Sequence, residues 1–393
     1  MRILHIISNM RPDSGGPQEA VRMMLRSAPD GCDSEVLTLD DPQAGYLQAA
    51  PFTVHALGGD CKGAYSAKLV PWLRANRNRY DGVVLHGMWE YLSLAVLRTV
   101  AGHVPYLVFA HGMLDPYFKR ASRIKHMKKW LYWLPVQYWV LRHALRVVFT
   151  TEAERGLAAQ SFWLHRWNAA VIGLGADAPS ADVAECREAF YALCPALRDK
   201  QYLLFLGRLD PKKGCDLLIE AFARVALLQP DVQLVMAGPD SAGWQSKLQR
   251  MAERAGIAER VHWPGMLKGE RKWGAFAGCE AFVLPSHQEN FGIAVVEALA
   301  CGKPVLITQP INIAEDLAAD GCALVDDDTL EGVISLLTQW TGLSPAEREA
   351  MSARALQSAT TRYDMRKNTS ALVELLADAR AAQTSALAEP RKA

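Results

Sequence analysis

The stretch Ala281-Phe282-Val283-Leu284-Pro285-Ser286-His287-Gln288-Glu289-Asn290-Phe291-Gly292-Ile293-Ala294-Val295-Val296-Glu297-Ala298-Leu299-Ala300-Cys301-Gly302 reads as strand, polar loop and helix. The apolar run 281–284 has strand length, Gly292 opens the helix and Gly302 closes it. A new helix offers unpaired N–H groups and a partial positive charge at its start, which suits a phosphate. Glu297, about a turn and a half into the helix, can accept two hydrogen bonds from a vicinal diol. Glu289 sits in the loop before it. The stretch therefore fits a phosphorylated sugar, although a buried strand–loop–helix joint with one capping Glu would carry the same residues.

Strand-like runs recur outward from this unit. In the first half they fall at 2–7, 35–39, 53–56, 82–85, 106–109 and 146–149. In the second half they fall at 202–206, 233–237, 261–263, 281–284, 304–307 and 323–325. Helix-compatible segments lie between most of them, which argues for doubly wound, mostly parallel α/β sheets. A chain of 393 residues suggests two domains. Gly175-Ala176-Asp177-Ala178-Pro179-Ser180 has linker composition, so the expected division is 1–177 and 178–361, with a helical 362–393 whose end frays.

Charge and cysteine content narrow the function. Net charge is +1, which argues against a general nucleic-acid binder. Residues 1–177 hold 20 Lys/Arg against 14 Asp/Glu, and residues 178–393 hold 23 against 28, so the halves differ by sign. The eight Cys form no C-x-x-C pair, which fits free thiols in a reducing cytoplasm rather than a zinc ribbon. No signal peptide is expected, because 1–7 reaches polar Ser8-Asn9 too early. Between Asp115 and Glu152 there is no acidic residue, while Lys119, Arg120, Arg123, Lys125, Lys128, Lys129, Arg142 and Arg146 lie there with Trp130, Tyr132, Trp133, Tyr138 and Trp139. Basic residues beside Trp and Tyr suit a helix lying on an anionic bilayer, so 117–146 is a candidate peripheral contact with the cytoplasmic membrane face. A groove wall with ordinary core aromatics is the alternative. Thr151-x-x-Glu154 reads as a capping box.

Three further motifs carry chemistry. The loop 8–17 ends in Ser14-Gly15-Gly16-Pro17 after the first strand. It is not G-x-G-x-x-G, and no acidic residue closes the second strand at a suitable distance, which disfavours a nicotinamide dehydrogenase. Gly15 and Gly16 still let a ligand approach the backbone. His86-Gly87 and His111-Gly112 each follow a buried strand, the position where α/β sheets bind ligands. Leu206-Gly207-Arg208-Leu209-Asp210-Pro211-Lys212-Lys213-Gly214 places Arg208 and Lys213 at a strand–helix junction. Fixed cations there can stabilise charge gathering on a diphosphate leaving group.

Glu289 to Glu297 spells E-x7-E. Together with the Gly-Arg-Leu-Asp-Pro-Lys-Lys-Gly loop, Ser-Gly-Gly-Pro and Ala-His-Gly-Met, it makes the chain resemble the GT-B-fold, family-4 retaining glycosyltransferases over nearly its full length. The resemblance implies two Rossmann-like domains facing across a cleft, with the last helix packing back on the first. It implies that Arg208 and Lys213 bind the donor diphosphate, that Glu289 with Asn290, Phe291 and Gly292 holds the transferred sugar, and that Glu297 binds the ribose. Gly16 would approach the diphosphate or the acceptor, His111 would contact the transferred sugar near the reacting carbon, and Gly15 and His86 would lie on the acceptor side. It further implies a UDP- or GDP-linked donor, a saccharide or polyprenyl-linked acceptor, no metal and no cofactor. A glycosidase would also need two carboxylates but has no use for Arg208 and Lys213. A non-catalytic nucleotide-sugar binder of the same fold would keep the donor motifs and lose the acceptor loop.

Overall fold

A computed structural model describes residues 1–12, 14–58, 65–116, 119, 123–176, 182–227, 229–240 and 243–388. Residues 177–180 of the expected linker, Cys61, and residues 117, 118 and 120–122 of the basic stretch lie outside them. The chain forms two compact units, Met1–Leu174 with Met365–Ala393, and Gly175–Asp364.

In the first unit seven strands pair in the order β3-β2-β1-β4-β5-β6-β7, all parallel. They are β1 (Arg2–Ile6), β2 (Asp33–Thr38), β3 (Val54–Ala56), β4 (Gly82–His86), β5 (Tyr106–Phe109), β6 (Arg146–Phe149) and β7 (Ala169–Val171). Every residue of β4 and β5 is buried. That explains their continuous apolar sequences: strands covered by helices on both faces have no polar side to alternate with. β4 runs one residue past its expected end because His86 pairs with Phe109 of β5. The helix Met365–Ala388 is part of this unit. Its Leu376 fills the space in front of Gly82, and Arg380 reaches Asp81 at 3.7 Å.

The second unit repeats the plan with six parallel strands in the order β10-β9-β8-β11-β12-β13. They are β8 (Tyr202–Leu206), β9 (Gln233–Ala237), β10 (Val261–Gly265), β11 (Ala281–Leu284), β12 (Val305–Thr308) and β13 (Ala323–Asp326). Counted within each unit, the first six strands run 3-2-1-4-5-6, the doubly wound dinucleotide-fold order. In each sheet the winding reverses between the first and fourth strands. The crevice beyond their carboxyl ends is where such sheets take ligands.

Candidate functional site

In the second unit the reversal lies between β8 and β11, which pair through Leu203–Ala281 and Leu204–Phe282. The loops leaving these two strands carry Arg208 and Lys213 on one side and Glu289 on the other. Sheet order therefore brings together residues about 80 positions apart. Asp210 starts the short turn Pro211–Lys213 by accepting from the Lys212 N–H at 2.9 Å. Gly214 then adopts φ +64° and sits on Pro285, so close that a Cβ would lie 2.0 Å from the Pro285 carbonyl oxygen. The His287 N–H donates to the Lys212 carbonyl at 2.9 Å, tying the two loops backbone to backbone. Glu289 is clamped in turn: its N–H donates to the Pro310 carbonyl at 3.1 Å, and its carbonyl accepts from Asn312 at 3.1 Å. Within this frame the Lys213 ammonium donates to the Glu289 carboxylate. Arg208 is exposed.

Gly292 caps the helix Ile293–Ala300, which is buried along most of its length. Asn290 accepts from the Asn312 side chain at 3.4 Å, and Phe291 is buried edge-on against Tyr363. Glu297 is the helix's one charged residue, and its side chain is only 7% exposed. Its Oε1 accepts from the Lys272 ammonium at 2.6 Å. Lys272 comes from the helix Gly269–Gly278 and went unnoticed in the sequence, where it is one cation in Glu270-Arg271-Lys272-Trp273. A buried carboxylate needs a partner of opposite charge, and that demand is the one signal that could have pointed to it.

In the first unit the reversal lies between β1 and β4, and three imidazoles form a chain there. His5 Nδ1 lies 3.0 Å from His86 Nε2, and His86 Nδ1 lies 3.0 Å from His111 Nε2. The rings stack at 5.3 Å, with Phe109 against both His86 and His111. Burial pushes His5 and His111 down to about 4 and His86 well below its ordinary value, helped for His86 by its two imidazole neighbours. His111 holds φ +48°, a left-handed turn that presents its ring at the strand end. Its following residue is fixed by Glu154, whose carboxylate accepts from the Gly112 N–H and the Thr150 N–H, each at 2.6 Å, and from the Thr150 hydroxyl at 2.7 Å. Thr151 caps its helix by accepting from the Glu154 N–H at 2.9 Å. The capping box expected from Thr151-x-x-Glu154 is thus half present, its carboxylate given to the His111 loop instead. His5 and Glu154 were not recognised as site residues.

Gly15 holds φ +107° before the helix Gly16–Arg26, and the space where its Cβ would stand is open. The loop ahead of it is anchored by Asp40, which accepts from the Met10 N–H at 2.6 Å, the Thr38 hydroxyl at 2.8 Å and the Tyr46 hydroxyl at 2.7 Å. Asp40 is thus an acidic residue two positions past β2, where none was expected to close that strand. Its carboxylate is engaged inside the protein. Among the described residues no group of three or more His, Cys, Asp or Glu is placed to hold a metal ion.

The basic stretch divides differently from its composition. Trp133 is wholly buried, stacks on Phe162 at 4.0 Å and donates to the Leu164 carbonyl at 2.8 Å. The Tyr132 hydroxyl donates to the Glu90 carbonyl at 2.5 Å. Lys129 lies over the Trp89 ring at 4.8 Å, and burial lowers its pKa. These aromatics are core. What faces outward on Arg123–Tyr132 and the turn after it is aliphatic: Ile124, Met127, Leu131 and Leu134, with Lys125 and Lys128 exposed alongside.

Two family matches cover most of the chain. Residues 195–357 match "Glycosyl transferases group 1", and residues 15–175 match "Glycosyl transferase 4-like domain". The chain belongs to the group 1 glycosyltransferases. Among curated relatives of this group 1 chain, the D-inositol 3-phosphate glycosyltransferase of Segniliparus rotundus is 31% identical over 183 residues, 44% of this chain and 40% of that protein. The protein of the same name from Mycolicibacterium smegmatis is 28% identical over 223 residues, 54% of this chain and 49% of that one. The matched part thus spans about half the length of these relatives. Among solved structures, Anabaena HepE in complex with UDP and glucose superposes with a TM-score of 0.77 at 19% identity, covering 96% of this chain and all of that one. Sucrose-phosphate synthase from Thermosynechococcus elongatus superposes with a TM-score of 0.76 at 17% identity, covering 97% and 99%. The architecture of this group 1 chain is accordingly that of the GT-B glycosyltransferases.

Proposed function

We propose that this chain is a retaining, metal-independent glycosyltransferase that moves a sugar from a nucleoside-diphosphate sugar to a saccharide acceptor. The observation that carries the reading is the convergence of Arg208, Lys213, Glu289 and Glu297 on the reversal point of one sheet, each carboxylate already matched to a lysine. Arg208 and Lys213 take the diphosphate. The N–H groups at the start of the Ile293–Ala300 helix add positive potential from Asn290, Phe291 and Gly292. Glu289 accepts from the hydroxyls of the transferred sugar, and Glu297 from those of the ribose. In the first unit His111 contacts the sugar, with His86 behind it. The open face of Gly15 and the start of the helix at Gly16 admit the diphosphate or the acceptor.

The acceptor hydroxyl attacks the anomeric carbon from the face that the phosphate leaves. The bond from that carbon to the phosphate oxygen breaks, the bond to the acceptor oxygen forms, and the acceptor proton passes to the leaving phosphate. Charge grows on the diphosphate as this happens, so fixed cations stabilise the transition state more than the ground state. The HepE structures contain UDP and UDP-glucose, which supports testing uridine donors first. The acceptor is read as polyprenyl-linked, in cell-surface polysaccharide or O-antigen assembly at the cytoplasmic membrane face. The outward aliphatic and basic face around Leu131 supports membrane docking. No helix among the described residues is long and apolar enough to cross a membrane.

A thermal-shift screen with UDP, GDP, ADP and their sugars tests the donor site, because a ligand at 100 times its Kd adds ~2.7 kcal/mol to the folded state. A shift with sugar transfer supports the proposal. A shift without transfer to any acceptor favours a non-catalytic nucleotide-sugar binder. No shift with any of them removes the donor assignment.

A further inference from the structure

We infer that Glu289 makes the donor site discriminate against its own spent donor, holding a nucleoside diphosphate more weakly than the intact nucleoside-diphosphate sugar. The inference rests on the donor reading above and deepens it. Its basis is the contact between the Lys213 ammonium and the Glu289 carboxylate.

Both side chains are mostly withdrawn from water, 17% and 21% exposed, so neither charge is well served by solvent alone. The pair also cannot drift apart through backbone movement. His287 N–H to the Lys212 carbonyl locks one loop to the other, and Gly214 is pressed on Pro285. Pro310 and Asn312 hold Glu289 from its far side. A phosphate brought to Lys213 is therefore brought to Glu289 as well.

The two nucleotides meet this pair differently. The β-phosphate of the intact donor carries one negative charge, and the attached sugar offers hydroxyl donors. Lys213 turns to the phosphate while Glu289 exchanges its ammonium partner for hydroxyls, and both groups stay satisfied. The spent diphosphate carries a terminal phosphate with up to two negative charges and no hydroxyls. It competes with Glu289 for one ammonium and sets a like charge beside a carboxylate left short of donors. Binding of the product is weakened and its departure favoured.

The test is calorimetric titration of UDP and UDP-glucose, and of GDP and GDP-mannose, into the wild-type chain, Glu289→Gln, Lys213→Met and the double variant. Gln keeps the shape and removes the charge. The expected result is that Glu289→Gln binds the diphosphate more tightly and the sugar donor no more tightly, so that the ratio of the two Kd values falls by about tenfold, one charge-assisted contact. In the Lys213→Met background the same substitution should tighten the diphosphate less than it does in the wild-type chain, since no ammonium remains to be shared and only the like-charge contact is relieved. Equal weakening of both ligands in Glu289→Gln would make Glu289 a support for Lys213, no change in diphosphate affinity would make it a plain sugar contact, and either result would overturn the inference. Wild-type protein binding none of the four ligands would instead remove the donor reading itself. Lys213→Met supplies a second check that does not need Glu289 to be altered: it should weaken the sugar donor less than tenfold beyond its effect on the diphosphate, and a larger selective loss counts against the shared ammonium.

Discussion

Glu297 Oε1 lies 2.6 Å from Lys272 Nζ, so the carboxylate assigned to the ribose is held in a nearly buried ion pair. Removing one member strands the other. Glu297→Ala should reduce transfer more than tenfold, but part of that loss would come from an unpaired Lys272, whose cost in a buried setting runs to about 3–5 kcal/mol. The double substitution Glu297→Leu with Lys272→Met separates the effects, because apolar groups of similar volume often replace a buried pair without loss. It should unfold in urea near the wild-type midpoint and still transfer sugar more than tenfold slower. Wild-type turnover in the double variant would remove Glu297 from the site. Lys213→Ala should likewise reduce transfer more than tenfold.

The His5–His86–His111 chain should make stability depend on pH in one direction. In the unfolded chain each imidazole takes a proton near 6.5, whereas burial holds His5 and His111 neutral until about 4 and His86 to lower pH still. Between those values the unfolded state binds more protons, so stability rises with pH there. The contribution is intact above about 6.5 and is lost as pH falls towards 4. His111 is part-exposed, so His5 and His86 carry most of it. Urea midpoints should fall over this window. His86→Phe, which keeps a ring between the other two, should flatten the dependence, and an unchanged slope would mean that other groups set it.

The strands were legible because buried parallel strands are written as short apolar runs: 106–109, 146–149, 202–206, 233–237 and 281–284 fall where β5, β6, β8, β9 and β11 do. Lys213, Glu289 and Glu297 were legible because each follows a strand or opens a helix in its own segment. Their partners were not. Lys272 is 25 residues before Glu297, and Glu154 is 42 after Gly112, pairings that depend on packing and leave no periodic trace. His5 was hidden inside a strand whose apolar neighbours made it look like core. The aromatic residues of 130–139 could not be sorted into core and surface by composition alone. Composition left Tyr132 and Trp133 open between a membrane face and an ordinary core; each donates to a backbone carbonyl in a part-buried hydrogen bond, which is how a polar aromatic is accommodated in a core.

Gly214 and Gly15 both hold positive φ, but only Gly214 is crowded. An alanine at Gly15 meets nothing within 4 Å and should cost about 1–3 kcal/mol for its backbone alone, which at φ +107° and ψ −152° lies in a region open essentially to glycine. An alanine at Gly214 adds a contact of 2.0 Å with the Pro285 carbonyl, so the two loops must separate. Its cost should reach about 2–4 kcal/mol, and donor affinity should fall with it because the Lys213–Glu289 frame is disturbed. Equal urea midpoints for the two variants would contradict this difference.

Membrane docking is testable at Leu131, which is 77% exposed in the middle of the face formed by Ile124, Met127 and Leu134. Positions 124, 127, 131 and 134 recur at helical spacing, so they lie along one side of the segment. Lys125 and Lys128 flank them, while Lys129 is turned inward over Trp89. An apolar stripe beside cations binds bilayers by burying the stripe and by attraction to anionic headgroups, and the second contribution is screened by salt. The chain should sediment with vesicles containing anionic lipid at low salt, and high salt should release most of it. Leu131→Glu should abolish sedimentation, since it removes apolar area and adds a repelled charge. Lys125→Gln with Lys128→Gln should weaken it and reduce its salt dependence. Trp139 is exposed as well, but less than Leu131, so Trp139→Ala should matter less than Leu131→Glu. Sedimentation that is equal on neutral and anionic vesicles, or unaffected by Leu131→Glu, would take this face out of the proposal.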